Sequence, residues 1–112
     1  GVWTAEAVAA AQAEGRPVLV NFTADWCVTC KINERVALSS GQVRAALDEA
    51  NAAYLVGDWT VRDPAITREL ERHGRSGVPL YLLYVPGRDT PRVLPQLLTP
   101  GLVAEAIREA GS

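Results

Sequence analysis

Cys27 and Cys30 are the only two cysteines in the chain, separated by Val28 and Thr29. A C-x-x-C pair suits thiol-disulfide exchange, in which one sulfur attacks as a thiolate and a second resolves the mixed disulfide. A free cysteine, with a pKa of about 8.5, is mostly protonated at neutral pH. A helix N-terminus lowers that value, because its unpaired N–H groups and positive dipole end favour an anion. Here the pair falls where an apolar run, Val18 to Thr23, gives way to a helical pattern. That placement predicts Cys27 as the exposed nucleophile at the helix start. Cys30, one turn further on, is then the shielded resolving thiol.

Other uses of two cysteines fit less well. A small disulfide-framed secreted domain usually carries four or more, and a bridge across this spacing closes too short a loop to staple a domain. A closed zinc site needs about four ligands, and the only other soft ligand is His73. Copper handling would have no methionine to draw on. Two inert buried cysteines would not need a strand-to-helix junction. No metal site is expected.

The elements that must hold this pair follow from patterning. An Ala-rich helix is predicted from Thr4, its N-cap, to Glu14, with Gly15 as the stop. Val18 to Thr23 reads as a strand buried on both faces. A helix then runs from the cysteines to about Leu38. Ser39 and Gln42, at capping-box spacing, open another with Val43, Ala46, Leu47 and Ala50 on one face. Ala53 to Val56 is a second strand. Asp63 and Pro64 start a helix that ends at Gly74. After a turn at Ser76-Gly77-Val78-Pro79, Leu80 to Val85 is the most strand-like run, and Pro86-Gly87 breaks it. Arg92 to Leu94 is a short edge strand limited by Pro95, and Thr99-Pro100 opens a closing helix. The expected fold class is α/β: a central mixed sheet of four strands flanked by helices, with Val2-Trp3 as a remnant fifth strand.

Composition is consistent with one domain over residues 1–112. Hydrophobic residues make up 48% and charged residues 21%, and the net charge of -2 with scattered Lys and Arg argues against nucleic acid. No apolar stretch approaches the roughly 20 residues that cross a bilayer. The chain begins at Gly1 and has no methionine, so it is read as a processed product or an excised domain.

Trp26-Cys27-x-x-Cys30-Lys31 after a buried strand, with Val78-Pro79 before a later strand, resembles the thioredoxin superfamily. The similarity spans nearly the whole chain. Ala24-Asp25-Trp26-Cys27-Val28-Thr29-Cys30-Lys31, Asp58-Trp59-Thr60 and Gly77-Val78-Pro79-Leu80-Tyr81 look most like the C-terminal domain of DsbD- and ScsB-type transmembrane thiol reductases. The resemblance implies a monomeric periplasmic domain of a larger bacterial inner-membrane protein. It would take electrons from a transmembrane thiol-relay domain and pass them to an N-terminal periplasmic domain or a soluble periplasmic thiol protein, with no bound cofactor and no membrane insertion of its own. A soluble oxidant or isomerase of the same fold is the alternative within this chemistry. A binding module with incidental cysteines is the alternative outside it.

The resemblance also assigns supporting residues. The family's buried acid, six positions before the first cysteine, is Asn21 here. The second acid of DsbD-type domains is Glu34, which is expected to raise the thiol pKa values by like-charge repulsion, or else to be a solvated helix-face residue. Trp26 would shield the nucleophile and contact partners, or simply pack on the helix. Pro79, cis in the family, would set the Val78 backbone beside Cys27 to pair with an incoming extended chain. Asp25 reads as an exposed loop acid, and Lys31 as an exposed lysine or as a cation favouring a nearby thiolate. Trp59 reads equally as docking surface or packing, and His73 is given no catalytic role.

Overall fold

A computed structural model describes residues 1–112. The elements are α1 (Ala5–Ala13), β1 (Val18–Thr23), α2 (Val28–Asn33), a π-helical turn (Glu34–Leu38), α3 (Gly41–Ala50), β2 (Ala53–Asp58), α4 (Pro64–Arg72), β3 (Leu80–Tyr84), β4 (Arg92–Val93) and α5 (Pro100–Gly111). The sheet order is β2-β1-β3-β4. β1 pairs parallel with β2 and antiparallel with β3, and β3 pairs antiparallel with β4.

β1 is the hub of this arrangement. All six of its residues are buried, as a strand with paired neighbours and covered faces requires. Its side chains alternate between two cores. Leu19 joins Tyr81 and Leu83 under α3 and α5, with Val43, Ala46, Val103 and Ile107. Val18, Val20 and Phe22 join Leu80 and Leu82 under α1 and α4, with Val8, Ile66 and Leu70. Each such apolar side chain contributes about 1.5–3 kcal/mol when fully buried. Asn21 and Thr23 share the parity of Leu19, so both polar side chains of β1 face the helix that follows the cysteines.

Most predicted boundaries are met, and the departures have physical causes. Thr4 and Thr99 cap α1 and α5 through their hydroxyls. Ser40, not Ser39, caps α3: its hydroxyl accepts from Val43 N–H, while the Ser39 hydroxyl turns back to the Glu34 and Arg35 carbonyls. The helix predicted to reach Leu38 in one piece ends its α-helical turns at Asn33. A π turn follows, in which Ser39 N–H bonds the Glu34 carbonyl five residues back. Asp63 precedes α4 without a side-chain capping bond. The fifth strand is reduced to a single parallel bridge between Val2 and Val56 on the outer edge of β2.

Gly57 shows how closely β2 meets β1. A methyl group there would stand 2.5 Å from Phe22 Cδ1 and 2.8 Å from Cε1. Phe22 is fully buried and has nowhere to turn. Gly57→Ala is therefore expected to lower the unfolding free energy by about 1–3 kcal/mol. Urea denaturation checks this, and a loss below about 0.5 kcal/mol would contradict the packing described.

Candidate active site

The site is built at the exit of β1. Ala24 to Cys27 leave the strand, and α2 starts at Val28. Cys27 has the extended backbone of an N-cap, with φ -92° and ψ 106°. Its Sγ accepts a hydrogen bond from Cys30 N–H at 3.2 Å, where a serine or aspartate oxygen would sit in an ordinary cap. The two sulfurs are joined in a disulfide. Cys27 keeps 8% of its surface exposed and Cys30 none. The Val78 carbonyl oxygen stands 3.9 Å from Cys27 Sγ, and the Val78-Pro79 bond is cis. Ala24 and Val78 pack around the pair. Cys27, Cys30 and Val78 therefore meet in one place, with Trp26 and Pro79 next to them in the chain.

Behind Cys30, one turn along, Glu34 enters a polar cluster. Its Oε2 accepts from Thr23 Oγ1 at 2.7 Å and from Asn21 Nδ2 at 3.3 Å. Its Oε1 lies 3.6 Å from Lys31 Nζ, which is also 3.6 Å from Asp25. Glu34 is thus anchored to β1 and is not a freely solvated helix-face residue. Asn21 Nδ2 also donates to the Tyr54 hydroxyl at 3.0 Å. Burial pushes the Tyr54 phenol above its ordinary range, the Asn21 bond opposes this, and the Glu34 charge adds to it. Asn21 Oδ1 is buried without a hydrogen-bond partner, since the amide must turn its N–H side to the carboxylate. A cleft of about 340 Å³ beside these residues, reaching Asp25 and Asp58, opens the cluster to solvent.

Sequence reasoning missed Asn33. This fully enclosed amide donates to the Tyr81 hydroxyl at 2.9 Å and to the Gln96 carbonyl at 2.6 Å, and accepts from Leu98 N–H at 3.0 Å. It ties the cysteine-bearing helix to β3 and to the segment before α5. Tyr81, buried beside it, has its phenol pushed up to about 12 by desolvation, against the Asn33 bond. The available signal was position: three residues after Cys30, Asn33 falls on the inward face of α2.

The loop after β2 fastens the other side. Asp58 Oδ1 accepts from Thr60 N–H at 2.9 Å and from its hydroxyl. These bonds hold the Asp58 carboxyl below the usual range. Thr60 Oγ1 in turn accepts from Asp25 N–H at 2.9 Å, and its carbonyl accepts from Trp26 Nε1 at 3.1 Å. Trp26 is half exposed, with its ring 5.9 Å from that of Trp59. Trp59 is 4% exposed and donates to Thr67 Oγ1, so it packs beneath the loop and offers no docking surface. His73 pairs with Glu69 on α4, away from the cysteines.

Residues 2–86 match the Thioredoxin-like family. The chain belongs to that family. It is 38% identical over 111 residues to thiol:disulfide interchange protein DsbD 1 of Pseudomonas aeruginosa, covering 95% of this chain and 18% of that protein. It is 42% identical over 79 residues to DsbD of Ralstonia nicotianae, covering 70% of this chain and 13% of that protein. The chain thus spans less than a fifth of the length of these relatives. Its fold matches the oxidised C-terminal domain of Neisseria meningitidis DsbD with a TM-score of 0.70 at 23% identity, covering 97% of both chains. A thioredoxin from Thermus thermophilus matches with a TM-score of 0.72 at 24% identity, covering 96% of this chain and 83% of that one. This thioredoxin-like chain has no helix long and apolar enough to cross a membrane.

Because Asn33 satisfies three groups inside the protein, Asn33→Ala is expected to destabilise the fold by about 2–3 kcal/mol, leaving Leu98 N–H and the Tyr81 hydroxyl without a partner. Thermal and urea unfolding of the oxidised domain measure this, and wild-type stability in the variant would refute the assignment.

Proposed function

We propose that this domain relays electrons by dithiol-disulfide exchange, with Cys27 as the attacking sulfur and Cys30 as the resolving one. The observation that carries the assignment is their asymmetry. Cys27 Sγ caps α2 and its residue keeps 8% of its surface exposed, while Cys30 is fully enclosed. In the reduced domain the Cys27 thiolate attacks one sulfur of a partner disulfide. A Cys27-partner bond forms, the partner's S–S bond breaks, and its second sulfur leaves with the electron pair. Cys30 then loses its proton and attacks Cys27. The Cys27-Cys30 bond forms, the mixed disulfide breaks, and the partner's other sulfur leaves as thiolate. Two electrons have passed to the partner, whose thiolates take up two protons. A donor dithiol restores the pair by the reverse sequence.

Residues 1–112 are read as one domain of a longer membrane protein, held in the bacterial periplasm. It would receive electrons from a membrane-embedded thiol domain and deliver them to another periplasmic domain or a soluble thiol protein. The DsbD relatives, of which this chain matches a small part, support that reading. The Val78 backbone, beside Cys27, is the edge on which an extended partner segment would lie. Trp26, half exposed and next to Cys27 in the chain, would flank that segment. Glu34, four residues after Cys30, opposes formation of the thiolates by its charge, tempered by Lys31.

Mixing reduced Cys30→Ser with a disulfide-bearing partner should trap a covalent adduct through Cys27, seen by mass spectrometry and absent from Cys27→Ser. Absence of any adduct would favour a binding module instead. Titration of the reduced domain should give a lower Cys27 pKa in Glu34→Gln than in wild type. Equal values would remove Glu34 from the thiol chemistry.

A further inference from the structure

Arg62 stands beside this site and has no part in the exchange steps above. It lies in the loop between β2 and α4 with φ 55°, in the left-handed region. A long side chain there costs about 1–2 kcal/mol of backbone energy. Its guanidinium carbon is 5.0 Å from the ring centre of Trp26 and 4.9 Å from that of Trp59. The cation is therefore held over two indoles, one of which adjoins Cys27. It makes no ion pair, whereas Lys31 on the neighbouring helix has both Asp25 and Glu34 within 3.6 Å. The nearby Asp58 is engaged by Thr60. The Arg62 guanidinium makes no hydrogen bond within the protein either, so its N–H donors are free, and those donors suit a carboxylate. The chain neighbour Val61 is 86% exposed, and Val28, which follows Cys27, is 71% exposed, so apolar side chains are offered to a bound segment on both the loop and the helix.

We propose that Arg62 recognises a carboxylate side chain on the disulfide substrate, close in sequence to the sulfur that Cys27 attacks. The occupant is an extended acidic segment of the partner protein. Charge complementarity selects it: the chain as a whole carries -2 and disfavours an acidic partner elsewhere, so a fixed cation at the rim sets the register of docking. The inference rests on the exchange reading above. Trp26 supplies apolar contact, and Arg62 supplies discrimination.

The test uses the domain reduced by a small dithiol and two disulfide peptides that differ only in Glu or Gln beside the cysteine. Wild type should favour the Glu peptide in kcat/KM by about threefold at low salt, the scale of one exposed charge pair. The preference should fade at high salt. Arg62→Asn, whose new side chain tolerates the left-handed backbone, should bring the ratio close to one. Arg62→Lys should keep part of it. A ratio near one in wild type, or a preference that survives in Arg62→Asn, would overturn the proposal. Equal slowing of both peptides in Arg62→Asn with the preference intact would likewise overturn it, leaving Arg62 only a support for Trp26. Failure of wild type to reduce either peptide would instead refute the exchange reading itself.

Discussion

The hydrogen bond from Cys30 N–H to Cys27 Sγ is the contact around which the rest of the molecule is organised. It puts a sulfur where helix N-terminal donors and the positive end of the dipole converge. That requires a helix beginning at residue 28, a strand ending close before it, and a rigid mount for both. β1 is the mount. It lies in the interior of the sheet, paired on one side to β2 and on the other to β3, and it is buried throughout. Moving its register by one residue would turn Asn21 and Thr23 into the opposite core and bring Phe22 under the helix.

Three polar ties then set the cysteine helix against this mount. Asn33 joins it to β3 and the chain before α5. Glu34 joins it to β1 through Thr23 and Asn21. Thr60, held by Asp58, fastens the preceding loop at Asp25 and Trp26. The Asn33 and Glu34 ties draw on buried and part-buried polar groups, which are costly when unpaired, so both penalise any other seating of the helix. Asn21 is the partial exception. Its N–H side is used twice and its oxygen not at all, the consequence of an amide held against a carboxylate.

The π turn from Glu34 to Leu38 links these ties to the core. With the helix widened there, Glu34 meets β1, Ala37 is fully buried and Val36 remains half exposed. The Ser39 hydroxyl is committed to this turn: it donates to the Glu34 carbonyl, which also accepts from Ser39 N–H, and lies within reach of the Arg35 carbonyl. This accounts for Ser40, one residue later, as the cap of α3.

Local chemistry was legible in the sequence wherever it depended on near neighbours. The strand-to-helix junction, the C-x-x-C spacing, the threonine caps and the apolar run of β1 all act over a few residues, and the structure places each as read. What the sequence determined by itself was the reactive pair, its order along the chain and the kind of elements that carry it. The tertiary structure decided which polar residues serve that pair. Asn33 meets Tyr81 and Leu98, and Trp59 goes inward while Trp26 stays at the surface. Thr60 reaches Asp25 across the sheet end. Those choices rest on contacts between residues tens of positions apart, whose partners are defined only once β2 and β3 have closed on β1.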